Sequence, residues 1–392
     1  MIILALLAGV AAAQDVGPSW LDEAIQRLEE DAVPLAVRDV ELHLFAGELL
    51  LWDSNIHLRE RDERSDSILV TVGRARMSYA ERNFDVEGDL QVNYNRYLCE
   101  DRFSGHEERF FGRGRFQEAP AAGELAVIFR RESDPFTDPE VADRIERVVG
   151  NAYPRVTARL SDVLGVEAEA NLQVVRFQEE AFRSLDNQGI RAGLGLLWSA
   201  TSWLELLAQG GCQNIVYEES PSPPNARGGY ARLGGRGDLT ETLSLDFRAG
   251  VARLESGELP GSSGGAELVT ADVDLHLRYE ASERLAFLGD YVRRFGFSSG
   301  VSPFQVTDRF VGRAEFDLFK EVVLRGRLQY DRVHGVLGER RIFWGVSGEG
   351  EWRVEDCLIL TAGLAFRRGA AGPGAAGDFR DIQLSAGAAL VF

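Results

Sequence analysis

The sequence predicts an all-β fold: a single transmembrane, antiparallel, up-and-down barrel of about 18 strands, with 16 the next count, behind a short N-terminal helix. Three observations predict it. Apolar and hydrophilic residues alternate at period two over most of the chain, connections alternate between tight and long, and the last strand carries an apolar residue at every second position back from Phe392.

Composition narrows the function classes. The 392 residues carry 43 Lys+Arg against 62 Asp+Glu, a net charge of −19, which excludes a nucleic-acid partner. The longest apolar run, Met1 to Ala13, is shorter than the ~20 residues of a membrane-spanning helix. Glycine at 42 against proline at 12 suits many tight strand turns better than disorder. Lys320 is the only lysine, so the positive charge is almost entirely arginine, the residue suited to fixed bidentate pairs.

Residues 1–13 read as a signal peptide, an apolar stretch closing on Ala11, Ala12 and Ala13 as an Ala-x-Ala cleavage site does. Residues 14–38 follow as a periplasmic segment, in which Trp20, Leu21, Ala24, Ile25 and Leu28 recur at helical spacing between Ser19 and Ala32. Residues 39–392 form the barrel. Its clearest strand sets Phe84, Val86, Gly88, Leu90, Val92 and Tyr94 against Asp85, Glu87, Asp89, Gln91, Asn93 and Asn95. One face meets lipid and the other meets water.

Eighteen such segments run from 40–54 to 378–392. Turns such as Ala80 to Arg82 and Ala200 to Thr201 are short, whereas 55–65, 133–149, 219–227 and 369–377 are long and polar, the asymmetry of periplasmic turns against external loops. Aromatic residues at strand ends, among them Trp52, Tyr79, Phe84, Trp198, Trp203, Tyr217 and Phe297, read as interfacial girdles. Ala388, Leu390 and Phe392 resemble the C-terminal signal by which barrel-assembly machinery recognises outer-membrane barrels. Localisation is therefore expected in the outer membrane of a Gram-negative bacterium.

The stretch Asp53, Ser54, Asn55, Ile56, His57, Leu58, followed by Ser65, Asp66 and a strand through Val72 and Gly73, carries a closer resemblance. It resembles the opening hairpin of the β-barrel porins found with exopolysaccharide-export and exosortase gene systems, and Asn93, Tyr94, Arg96 and Tyr97 repeat that strand grammar. The resemblance implies a conduit linked to exopolysaccharide export, with periplasmic polysaccharide-export proteins as partners and no catalytic residues. A general diffusion porin for small solutes, and a plugged barrel that binds a partner through its N-terminal helix, are the alternatives.

The lumen face carries the candidate site. Arg74 and Arg76 lie across the first tight turn from Asp85, Glu87 and Asp89, and Glu315, Arg325 and Glu349 line up across three strands, near Arg313. Asp272, Asp274 and His276 share one inward face, though no second strand supplies an obvious catalytic partner. These charges either hold the wall together or screen permeants. Acidic loop residues such as Glu100, Asp101 and Glu107 offer divalent-cation bridges to lipopolysaccharide. No metal-ligand spacing, phosphate-cradling loop or dinucleotide fingerprint occurs, so neither cofactor nor enzymatic activity is expected. Cys99, Cys212 and Cys357 are too scattered for a disulfide framework and read as passive wall residues.

Overall fold

The computed structural model describes residues 35–37, 40–56, 64–101, 104–132, 146–218, 225–258, 265–297, 304–335, 340–355, 358–371 and 379–391. Within them, β1 (Leu35–Val37) is a short strand and is followed by β2 (Val40–Asp53), β3 (Asp66–Glu81), β4 (Phe84–Tyr97), β5 (Gly105–Glu118), β6 (Ala121–Glu132) and β7 (Arg147–Arg159). Next come β8 (Leu164–Phe177), β9 (Asn187–Ser199), β10 (Leu204–Tyr217), β11 (Ala226–Thr240), β12 (Leu243–Glu258) and β13 (Gly265–Ser282). The last six are β14 (Leu285–Phe297), β15 (Phe304–Phe319), β16 (Val322–Gly335), β17 (Arg340–Glu355), β18 (Leu358–Ala371) and β19 (Phe379–Val391).

From β2 to β19 each strand pairs antiparallel with its neighbour, and β19 returns to β2 through the register Gln383↔Asp53 to Val391↔Phe45. The sheet is closed, so it has no edge. Eighteen strands form the wall, the count expected from the alternation. β1 was not expected; it pairs with the first three residues of β2, beyond the point where β19 ends. The rest of the N-terminal segment, including the expected signal peptide and helix, lies outside the described residues. A 3-10 segment at Glu180–Leu185 caps the connection from β8 to β9.

Tight turns at one end share a local device. The hydroxyls of Ser161 and Thr201 accept the amide hydrogens of Leu164 and Leu204 at 3.1 and 3.0 Å, closing the turn before the next strand begins. Thr240 and Ser282 do the same at two later turns on the same rim.

The exterior is apolar. Leu194 is 72% exposed and Leu233 is 68% exposed, and with Leu196, Val251 and Val269 they form an outward band that only a lipid environment would solvate favourably. Trp198 and Trp203 flank a short turn on this surface, as a girdle requires, and Trp52 stands at the opposite rim. Glu48 and Asn214 are polar exceptions on the same face. Among the described residues no helix is long and apolar enough to cross a membrane, so the crossing is made by strands. A closed barrel is the β architecture that satisfies every backbone group in lipid, and barrels of this kind are outer-membrane structures.

The interior departs from the expected uniform polarity. Phe45, Leu49, Ile68, Val70, Val72 and Tyr97 form a buried apolar cluster on the inner face of β2 to β4. A second cluster joins Ile215, Tyr217, Tyr230, Leu254 and Phe295. Tyr217 is thus not a girdle residue: it has the parity of Gln209 and Gln213 and points into the barrel, 2% exposed. The side chain of Phe297 lies outside the described residues.

Candidate functional site: the charged lumen

Inward positions of neighbouring strands stack charges into ladders. Across the β3–β4 hairpin the register is Arg76↔Asp89 and Arg74↔Gln91, so the ion pairs fall on diagonals. Arg74 Nε donates to Asp89 Oδ1 at 2.7 Å, and Arg76 lies 4.0 Å from Glu87. The next strand contributes what the sequence reading did not weigh. From β5, Arg113 reaches Glu87 at 2.5 Å and Arg115 reaches Asp85 at 2.7 Å. All five charges expected on this hairpin face the lumen.

On the far side, Glu315, Arg325 and Glu349 stand in one row, as expected. Arg325 bonds Glu315 at 3.3 Å and reaches past the row to Glu351 at 2.9 Å. Arg313 lies directly opposite Arg327, and Arg309 binds Asp331 at 2.6 Å. These contacts join neighbouring strands and follow the wall. Each such pair contributes roughly 0.2–1 kcal/mol.

The third network is different. Asp272, Asp274 and His276 do share a lumen face of β13, and although the sequence offers no obvious catalytic partner on a second strand, other strands supply ion-pair partners. Arg191 of β9 pairs with Asp272, Arg294 of β14 pairs with Asp274, and His276 sits between Asp274 at 3.0 Å and Asp290 at 2.7 Å. Glu169 of β8 holds three guanidiniums, those of Arg155 at 3.3 Å, Arg232 at 3.1 Å and Arg248 at 3.2 Å. Glu205 bonds both Arg159 at 2.8 Å and Arg236 at 2.5 Å. Arg191 and Arg232 also pack on the Tyr230 ring, 4.0 and 4.9 Å from its centroid.

The span of these contacts fixes the shape of the wall. β9 and β13 are separated by four strand spacings, about 19 Å along the sheet. An arginine and an aspartate cannot bridge that on a gently curved surface, so the wall folds inward between them. Glycine permits the fold: a Cβ on Gly250 would run into the Ala231 carbonyl, and one on Gly237 into that of Trp203. The β7–β14 side of the lumen is therefore filled by a cross-linked charge cluster. Over β3–β5 and β15–β17 the ion pairs among the described residues join neighbouring strands and hug the wall.

Loop anchors account for the Asp53 to Asp66 stretch. Asp53 accepts the Asn55 amide at 2.9 Å, Asn55 Nδ2 donates to the Arg380 carbonyl at 2.9 Å, and the Ser54 hydroxyl bonds Asp381 at 3.2 Å. Asp66 accepts the amides of Ser67, Cys99 and Glu100 at 2.7 to 2.9 Å. These residues tie the first outer loop to the last strand and to the next loop. His57 and Leu58 lie outside the described residues, and Tyr97 is buried in the apolar cluster. At the C-terminus Ala388 and Leu390 point outward in alternation, whereas Phe392 lies outside the described residues. Cys212 faces lipid and Cys99 is exposed at the loop rim. Among the described residues no cluster of His, Cys, Asp and Glu is arranged to hold a metal ion.

No protein-family model matches the chain. No curated protein sequence matches it either. Among solved structures it is similar to the Pseudomonas aeruginosa outer membrane protein OpdK, determined with vanillate, at 11% identity and a TM-score of 0.45, over 90% of this chain and 99% of that one. It is similar to Pseudomonas aeruginosa OprD at 14% identity and a TM-score of 0.44, over 92% and 98%. A BenF-like porin from Pseudomonas fluorescens gives 10% identity and a TM-score of 0.49, over 91% and 100%.

Proposed function

We propose that the barrel is a passive outer-membrane pore for small hydrophilic solutes. The observation that carries this is an eighteen-strand closed wall whose inner face is lined by charge ladders over β3–β5 and β15–β17. A barrel of 16 to 18 strands encloses an aqueous channel. The cluster on the β7–β14 side narrows that channel to the passage beside the ladders. Carboxylates and guanidiniums alternate there, so the passage favours small polar solutes of either charge over a bulky polymer. The conduit for exopolysaccharide is the weaker reading, because the residues that suggested it at Asp53 to Asp66 are engaged in anchoring loops. Barrel-assembly machinery recognising the outward Ala388 and Leu390 belongs to this proposal, and it contains no enzymatic step.

Liposome swelling with sugars of increasing size tests the reading. Entry of monosaccharides and disaccharides, insensitive to added acidic exopolysaccharide, is the expected result. Block by the polymer at low concentration would transfer the function to polysaccharide export.

A further inference from the structure

We infer that the outward face of β16–β19, at the rim with the long loops, is a binding site for the phosphate groups of an outer-leaflet lipid. Arg332 and His334 of β16, Arg340 of β17, Arg368 of β18 and Arg380 of β19 all project from the exterior there, by the parity that turns Tyr330, Trp344 and Ile382 outward. Arg368 stands directly opposite Arg380, and His334 directly opposite Arg340. The like-charged Arg368 and Arg380 repel across that pair. The described outward residues of β16–β19 include no acidic side chain, and Asp308 of the adjoining β15, directly opposite Arg332, is held by Arg293 at 3.0 Å and by the Tyr291 hydroxyl at 3.0 Å. Arg332 Nε is buried with no hydrogen-bond partner.

What sets the patch apart on this rim is its density, five basic side chains on four consecutive strands. Three outward arginines elsewhere on the rim are neutralised, Arg131 by Glu146, Arg176 by Glu218, and Arg253 by Glu255 at 2.7 Å and Glu267 at 2.9 Å, while Arg96 on β4 and Arg227 on β11 are isolated from one another. In a chain of net charge −19, leaving one sector cationic is the arrangement to be explained. Its height supplies the ligand class. Trp344 shares a row with Arg368 and Arg380, placing the guanidiniums at the headgroup level of an aromatic girdle. Guanidinium pairs bind phosphate by bidentate hydrogen bonds, and basic surfaces at that depth bind anionic headgroups. A phosphate between Arg368 and Arg380 turns their repulsion into a shared attraction.

The test uses the full chain folded in neutral detergent, titrated with diphosphoryl lipid A, and with inorganic phosphate as the competing anion. Binding is read by native mass spectrometry. The expected result is retention of the lipid by the parent protein, at least tenfold weaker binding by the Arg368→Gln/Arg380→Gln double variant, and an unchanged Arg253→Gln control. Heat-shifted gel migration reports folding; should the double variant not fold, Arg340→Gln alone is expected to weaken binding about threefold. Equal binding by the folded variants and the parent overturns the inference. So does an equal loss in the control, or displacement by millimolar inorganic phosphate, which would mark a general anion site.

Discussion

Replacing Glu169 with glutamine removes one charge and leaves three guanidiniums facing one another. Arg232 and Arg248 are nearly inaccessible, with side-chain exposures of 4% and 10%, whereas Glu169 retains 20%. Removing one partner of a fully buried ion pair costs about 3–5 kcal/mol. The remaining accessibility of Glu169, and the hydrogen bonds an amide still accepts, bring the expected cost to about 2–3 kcal/mol. The assay is urea unfolding in lipid vesicles, followed by tryptophan fluorescence and by the heat-shifted gel band. A second change, Arg248→Gln, made in the same chain, is expected to restore part of the loss, because the surplus positive charge is then relieved. A stability within about 0.5 kcal/mol of the parent, the scale of an exposed pair, would refute the reasoning: the cluster would then be solvated and would not hold the wall inward.

Three further outcomes follow from the geometry. Gly250→Val should abolish the folded band, because its side chain meets the Ala231 carbonyl, whereas Gly326→Ala, with nothing within 4 Å of the new Cβ, should fold as the parent does. A membrane-impermeant maleimide added to intact cells should label Cys99 at the loop rim and not the lipid-facing Cys212; the Asp66 carboxylate beside Cys99 holds its thiol above the ordinary value, so labelling should accelerate as pH rises, and a pH-independent rate would contradict that contact. Leu390→Asp puts a charge in the lipid-facing alternation of β19, and the yield of assembled barrel in membranes should fall several-fold while synthesis is unchanged.

Strand grammar was legible in the sequence because it is local. Each wall strand repeats the contrast seen at Phe84 to Asn95, and antiparallel neighbours with short turns leave little freedom of register, so Glu315, Arg325 and Glu349 fall in line as expected. The diagonal pairing of Arg74 with Asp89 was within the range allowed by that register. Tyr217 departs from its expected girdle place because position at a strand end outweighs parity in that expectation; it shares the parity of the inward Gln213, a signal present in the sequence. The cluster around Glu169 was not legible. Its members come from β7, β8, β10, β11 and β12, and they meet only because the wall folds at glycine positions, a property of curvature over several strands. β1 escaped notice since three residues carry too little alternation to register.

Single-channel recording in a planar bilayer tests the central claim, that the wall encloses a water-filled passage. The chain, shown to be folded by its heat-shifted migration, should give a steady conductance that Glu169→Gln shifts toward anions and acidic exopolysaccharide leaves unchanged. A folded barrel that passes no current would contradict it and would mean that the lumen is closed.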